Sequence, residues 1–315
     1  MLTHLSPLPS LKIKENEPLS RHTRFGIGGP AKLLAETSNP QTFTAALGTL
    51  RKANHSHVVI GGGTNLIVSD AGFDGVVLKY TADMISSELE LVTADAGAIL
   101  QHLVDYTVLR GLKGLETLAG IPGWVGAAIY GNAGAYGHSI SERVHKVYFT
   151  DGVETRVFTN AECEFRYRES IFKRNKDWII LTAELLLAPG DQAELTKTAN
   201  DIVTIRNEKF PPTMQCAGSI FKNFLLADLK VEVPEKVVRE GKVPAAYFLE
   251  QVGAKGMQAG GIEVATYHAN LIYNAGGGTA SDLCALVAEL KHRVRDRFGI
   301  ELEEEVQFVG DFPNR

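Results

Sequence analysis

The sequence predicts an α+β protein built from two or three packed units. Short apolar strands alternate with amphipathic helical stretches through the first half, the last third repeats that mixture in smaller form, and 315 residues is long for one compact core. At roughly 150 residues per domain, about two domains are expected. A chain of this size buries roughly three quarters of its unfolded surface, so it needs neither disulfides nor a metal to stay folded. With 44% hydrophobic and 22% charged residues, and 31 Gly against 12 Pro, collagen, coiled coil and wholesale disorder are excluded.

After a polar lead-in, residues 21–36 (RHTRFGIGGPAKLLAE) read as a turn running into a short strand, and 41–53 carries helical apolar spacing at Phe43, Ala46, Leu47 and Leu50. HVVIGGGTNLIVSDAGFDGVVLKY (57–80) reads as strand, glycine loop and strand. Residues 88–94 alternate as a strand, and 98–109 form an amphipathic helix stopped by Gly111. The Asp-Gly pair at 151–152 joins 144–150 to 153–159 in a hairpin. The apolar run IILTAELLL (179–187) is a buried strand, and 191–209 is a helix ending at a hinge marked by Pro211 and Pro212. Further on, 245–252 is helical, 260–273 a strand, 281–298 a helix with Ser281 at its N-cap and Gly299 beyond it, and 300–310 a closing strand.

Thirty-seven acidic against 32 basic residues, with no basic block, leave no electrostatic footprint for nucleic acid. Cys163, Cys216 and Cys284 are odd in number and match no zinc or CxxC spacing, which implies free thiols in a reducing compartment and no metal. The first twenty residues lack a basic start followed by an apolar core, so no signal peptide is expected and the cytoplasm is the expected location. The uncharged run 117–137 is long enough to cross a bilayer, but its six glycines, Pro122 and Asn132 make poor helix, and a membrane span is rejected.

Those glycines, at 120, 123, 126, 131, 134 and 137, form two successive GxxGxxG runs, a pattern suited to close approach of a ligand to backbone. The loop Gly61, Gly62, Gly63, Thr64 and Asn65 follows an apolar strand, so its N–H groups can converge on phosphate oxygens. It is neither a Rossmann fingerprint, since another strand rather than a helix follows, nor a Walker loop, since no GK[ST] is present. The tetrapeptide SIFK occurs twice, at 170–173 and 219–222, and each copy makes an SxxK pair. Without SDN and KTG elements, an acyl-enzyme has little support. A serine in CAGSIFKN most simply caps a turn, and Arg168 and the ELEEEV carboxylates most simply make surface ion pairs. The residues alone lead to a phosphate-binding enzyme of unspecified chemistry.

The motifs TRFGIGGPA, VVIGGGTNLIVSD, GLETLAGIPGWVGAAIYGNAGAYG, ECEFRYRESIFK, IRNEKFP, AGSIFKN, GMQAGG and LEEEV occur in this order over residues 20–310. In this the chain resembles the UDP-N-acetylenolpyruvoylglucosamine reductases, also called UDP-N-acetylmuramate dehydrogenases. The resemblance implies an FAD-binding domain of the vanillyl-alcohol-oxidase type at 21–204, in subdomains of about 21–80 and 81–204, after a lead-in at 1–20. A smaller α+β substrate-binding domain would follow at 205–315. The implied activity is NADPH-dependent reduction of UDP-N-acetylglucosamine enolpyruvate to UDP-N-acetylmuramate through bound FAD, in peptidoglycan precursor synthesis.

Carried over by position, Arg168, Ser219 and Glu305 are catalytic, and Tyr167, Lys209 and Asn223 hold substrate. FAD would lie on the 61–65 loop and on Gly120, Ile121, Pro122, Gly123, Gly126, Asn132, Gly134, Ala135 and Gly137. A monomer without nucleic-acid or membrane partners is expected. The short segment 187–205 has no tyrosine, which matches the shorter-loop branch. LEEEV departs by carrying Glu304 where many members have proline, and strand alternation would put Glu304 on the apolar side and Glu305 on the polar one. The alternatives are another FAD-dependent oxidoreductase of this fold acting on an alcohol or hydroxy acid, and a flavin-binding protein without turnover.

Overall fold

The structure, a computed structural model, describes residues 1–312. Helices and strands are mixed throughout, and the chain divides into two compact units that each draw on separate stretches of sequence. Met1–Glu17, Ala31–Gly62 and Asp74–Glu208 make the first; Pro18–Pro30, Gly63–Phe73 and the chain from Lys209 onward make the second.

The first unit holds two sheets. One has the order Lys12–Pro18, Pro30–Thr37, Phe73–Tyr80, His57–Val59, and its last pair is parallel, with Val58 opposite Val77. The helix Pro40–Lys52 starts where Asn39 Oδ1 accepts a 2.8 Å bond from Thr42 N–H, with Pro at the first turn where its missing N–H costs nothing. It buries Phe43, Ala46, Leu47 and Leu50, the residues its spacing singles out. The second sheet is antiparallel, in the order Thr155–Thr159, Val144–Thr150, Ile179–Leu186, Leu91–Asp95, Ile85–Glu88. The expected hairpin is present, but its loop is the four residues 151–154 rather than the Asp-Gly pair alone and its return strand starts at Thr155, because Asp151 Oδ1 folds the loop by accepting from the N–H groups of Val153 and Glu154. Phe149, Phe158, Phe172 and Trp178 pack there with centroids 4.6–5.5 Å apart for the closest pairs. The expected strand at 88–94 is instead the return of a hairpin: Ile85–Glu88 and Leu91–Asp95 pair around Leu89, which takes φ +52°.

The second unit centres on the helix Ala280–Phe298, whose Leu283, Leu286, Leu290 and Val294 face Phe248, Ile262, Ile272 and Leu302 in one core. Its N-cap is Thr279, not the expected Ser281. Thr279 exchanges bonds with Asp282 in a capping box, and Ser281 instead donates its hydroxyl to Asp70, which also accepts from the Ala280 and Ser281 N–H groups. Burial raises the Asp70 pKa, but these bonds outweigh it and hold the carboxyl below its ordinary value. Gly299 ends the helix at φ +66°, as the sequence predicts. The expected strand at 260–273 is two, Ile262–Val264 and Leu271–Asn274, paired antiparallel around a six-residue turn. The closing segment is likewise subdivided. Only Gln307–Val309 is a strand, parallel to Leu66–Val68, whereas 303–305 bonds to 220–222.

Candidate active site

In the first unit, Arg166 and Glu169 exchange backbone hydrogen bonds of 3.1 Å each, so Tyr167 and Arg168 form the tip of a tight turn. Arg168 sits there at φ +55°, a left-handed conformation that costs a non-glycine residue on the order of 1 kcal/mol. Its guanidinium donates to the carbonyl of Gly134 at 3.0 Å and, more weakly, to that of Asn132 at 3.5 Å, with the Tyr167 ring 5.3 Å away. The Lys173 ammonium donates to the Arg168 carbonyl at 2.8 Å and steadies the turn from behind. Arg168 is therefore fastened to the second glycine run.

The buried Asn132 is a brace within that run. Its amide donates to the Arg166 carbonyl at 2.8 Å and its Oδ1 accepts from Ser141 N–H. Packing accounts for two of the glycines: a Cβ on Gly126 would stand 2.7 Å from that of Ala96, and one on Gly134 2.5 Å from the His138 carbonyl oxygen. Gly120 N–H donates to Gln101 Oε1 and Ile121 N–H to the Leu118 carbonyl. Gly120, Gly123 and Gly137 all have positive φ, which leaves that backbone sharply turned beside Pro122 and Ala135.

Gly61 and Gly62 belong to the first unit and Gly63, Thr64 and Asn65 to the second. A Cβ on Gly63 would be 1.8 Å from the His22 carbonyl oxygen, so that position is closed to any side chain, and one on Gly62 would crowd the Trp124 indole at 3.0 Å. Asn65 donates its amide to the Glu305 carbonyl at 3.0 Å, and its own carbonyl accepts from Gln307 N–H at 2.9 Å.

In the second unit, Ser219 ends the strand Cys216–Ser219 after Gly218, whose φ is +79°. The next carbonyl, Ile220, accepts a 2.7 Å bond from Glu305 N–H, which sets Glu305 on the backbone beside Ser219. No hydrogen bond is made by the Ser219 hydroxyl among the described residues, so it caps no turn. Glu304 is accounted for differently: its carboxylate, 13% exposed, pairs with Lys291 at 3.1 Å and fills the half-buried side that alternation assigns it. Lys209 ends the helix Gln192–Lys209, and its carbonyl accepts from the Tyr267 hydroxyl at 3.0 Å. Asn223 Oδ1 accepts from Ala245 N–H and steadies the start of the helix Ala245–Gln251. His268 lies nearby, its pKa pushed down to about 4 by burial and then by the Lys209 charge.

Two residues passed over by sequence patterning lie at the glycine loop: Trp124, the one tryptophan in the glycine array, whose indole stands beside Gly61 and Gly62, and Lys79, a cation within the apolar strand Phe73–Tyr80, whose ammonium lies over that indole. The signal for each was a residue type out of keeping with its neighbours.

The family model described as UDP-N-acetylenolpyruvoylglucosamine reductase, C-terminal domain, matches residues 210–309, and that of an FAD binding domain matches 31–157. A protein of Solibacter usitatus named UDP-N-acetylenolpyruvoylglucosamine reductase is 65% identical over 97% of this chain and 99% of its own. The chain belongs to the UDP-N-acetylenolpyruvoylglucosamine reductase family. A Bacillus subtilis protein of the same name is 35% identical over 95% of this chain and 94% of its own. The crystal structure of the reductase from Thermus caldophilus matches with a TM-score of 0.74 at 27% identity, covering 95% of this chain and 98% of that one. Membership makes the chain an FAD-containing oxidoreductase, in line with the expected α+β class.

The residues present fit FAD. A loop closed to any side chain at Gly63 and crowded by Trp124 at Gly62 presents backbone rather than carboxylates to an anionic diphosphate, and the turned glycine run supplies a second such surface. Among the described residues no three His, Cys, Asp or Glu side chains gather to hold a metal, and no helix is long and apolar enough to cross a membrane.

Proposed function

We propose that the chain reduces UDP-N-acetylglucosamine enolpyruvate to UDP-N-acetylmuramate with NADPH, in peptidoglycan precursor synthesis, as a cytoplasmic monomer without nucleic-acid or membrane partners. The observation that carries the reading is a Ser219 hydroxyl with no structural duty, set beside Glu305 in a chain of this family. Bound FAD supplies the two-electron relay between NADPH and substrate. The loop at 61–65 and the run at 120–137, with Ile121, Pro122, Asn132 and Ala135 shaping it, would hold it, within an FAD-binding domain of about 21–204 followed by a substrate-binding domain of about 205–315.

Hydride addition at the enolpyruvyl β-carbon leaves negative charge spread over the α-carbon and the carboxylate. Arg168 steadies that charge: a guanidinium fixed by two carbonyls and a constrained turn loses little freedom on meeting a carboxylate, and its two-pronged geometry matches one. Ser219 then gives its proton to the α-carbon, which its weak acidity permits because that carbon is strongly basic. Glu305 lends the protonation site its polar side, and Tyr167, Lys209 and Asn223 hold the sugar nucleotide.

The purified protein should be yellow, bleach with NADPH in the absence of oxygen, and regain colour on addition of the enolpyruvyl UDP-sugar. Colour restored by a simple alcohol's oxidation product but not by the UDP-sugar would instead mark another oxidoreductase of this fold.

A further inference from the structure

Lys79 is a buried cation to which the proposed chemistry gives no task. It is 9% exposed, yet among the described residues its ammonium has no hydrogen-bond acceptor and no carboxylate at ion-pair distance. Its surroundings are the face of Trp124, with the ring centroid 5.0 Å from Nζ, the longer-range attraction of Glu36 and the repulsion of Lys14. A desolvated ammonium loses far more hydration than one aromatic face returns. Burial accordingly holds its pKa below the ordinary lysine value, with Glu36 opposing and Lys14 assisting.

The arrangement gains a purpose from what Trp124 also touches. Its indole lies where a side chain on Gly62 would be, 3.0 Å from the would-be Cβ, and 3.8 Å from that of Gly61. One indole therefore contacts both the glycine loop and the ammonium. The strand carrying Lys79 is bonded to the strand that leads into the loop, and Ile60 N–H donates to the Leu78 carbonyl. Backbone amides offer partial charges; Lys79 adds a full one in a low-dielectric setting, where it is strongest.

We propose that Lys79 is a further cofactor-binding residue, its ammonium serving as the counter-charge for the FAD diphosphate, with Trp124 as the positioning residue that holds it against the loop. The assignment rests on the reading that the 61–65 loop receives that diphosphate.

The test measures FAD and riboflavin affinity of the full-length chain, freed of flavin, by quenching of flavin fluorescence at low and high salt. Lys79→Met, which keeps length and suits burial, should weaken FAD binding by about 10–100-fold, the range expected for a lost bond to a charged group. It should leave riboflavin, which has no phosphate, within about twofold, and flatten the salt dependence for FAD. Lys79→Arg should recover most of the loss. Equal weakening for both flavins, or for neither, overturns the proposal. If Lys79→Met does not fold, Lys79→Gln is read by the same ratio. A parent chain that binds FAD no better than riboflavin would instead remove the diphosphate reading of the loop, a different failure from an unchanged ratio in the variants.

Discussion

The two copies of SIFK hold the same four residues in opposite employment. In the first, Ser170 is fully buried, accepts from Lys173 N–H as the N-cap of a helical turn and donates to the Tyr130 carbonyl at 2.7 Å. In the second, Ser219 ends a strand and its hydroxyl has no partner among the described residues. Both phenylalanines, Phe172 and Phe221, are core residues, while the lysines differ: Lys173 donates to the Arg168 backbone carbonyl and Lys222 pairs with the Glu303 carboxylate. Apolar burial is thus common to the two copies, and the serine's surroundings separate a hydroxyl engaged in structure from the one proposed for chemistry.

The sharpest way to break that comparison is to remove each hydroxyl. Ser219→Ala should keep its FAD, be reduced by NADPH at nearly normal speed, and lose roughly 10²-fold or more in the half-reaction with the enolpyruvyl substrate, as for a missing general acid. Stopped-flow traces of each half-reaction decide it, and equal slowing of both would remove Ser219 from the acid role. Ser170→Ala should do the reverse: about 1–3 kcal/mol of stability lost in urea unfolding, because the Tyr130 carbonyl and the helical turn lose their partner, with turnover per folded molecule little changed.

A smaller effect separates folding from chemistry within the second unit. His268 has a folded pKa of about 4 against 6.5 unfolded, so the unfolded chain binds the proton more readily. Its contribution is intact above pH 6.5 and is lost as pH falls towards 4. His268→Gln should therefore unfold with a shallower acid dependence than the parent between pH 6.5 and 4, the difference being on the order of 1 kcal/mol after allowance for partial exposure. The smallest effect is expected at Glu304. Glu304→Gln loosens its bond to Lys291 and should cost about 1 kcal/mol or less with activity retained, while Glu305→Gln should lower turnover without comparable loss of stability. Interchanged results would reassign the carboxylate.

Patterns that depend on neighbours in sequence were legible. Phe43, Ala46, Leu47 and Leu50 mark a helix face because burial repeats at the helical period, and Gly299 marks its helix end because it alone adopts the left-handed turn cheaply. Boundaries set by distant residues were not. Ser281 looks like a cap, but Asp70, some two hundred residues earlier, takes its hydroxyl, and Thr279 caps instead. The closing segment alternates like one strand, yet 303–305 and 307–309 find different partners, which no local pattern encodes. For the site, the glycines stood out by composition, whereas the Gly62–Trp124–Lys79 contact joins three stretches and needs the fold to be seen.

The parallel pairing of Leu66–Val68 with Gln307–Val309 also sets a clock on biosynthesis. The two strands lie roughly 240 residues apart, so at elongation rates of about 5–20 residues per second the first waits on the order of 10–50 s for its partner to leave the ribosome. Throughout that interval Ile67, destined for the core of the second unit, has no sheet to join. Nascent chains halted before residue 300 should be cut readily by protease within 63–73, and released full-length chains should not.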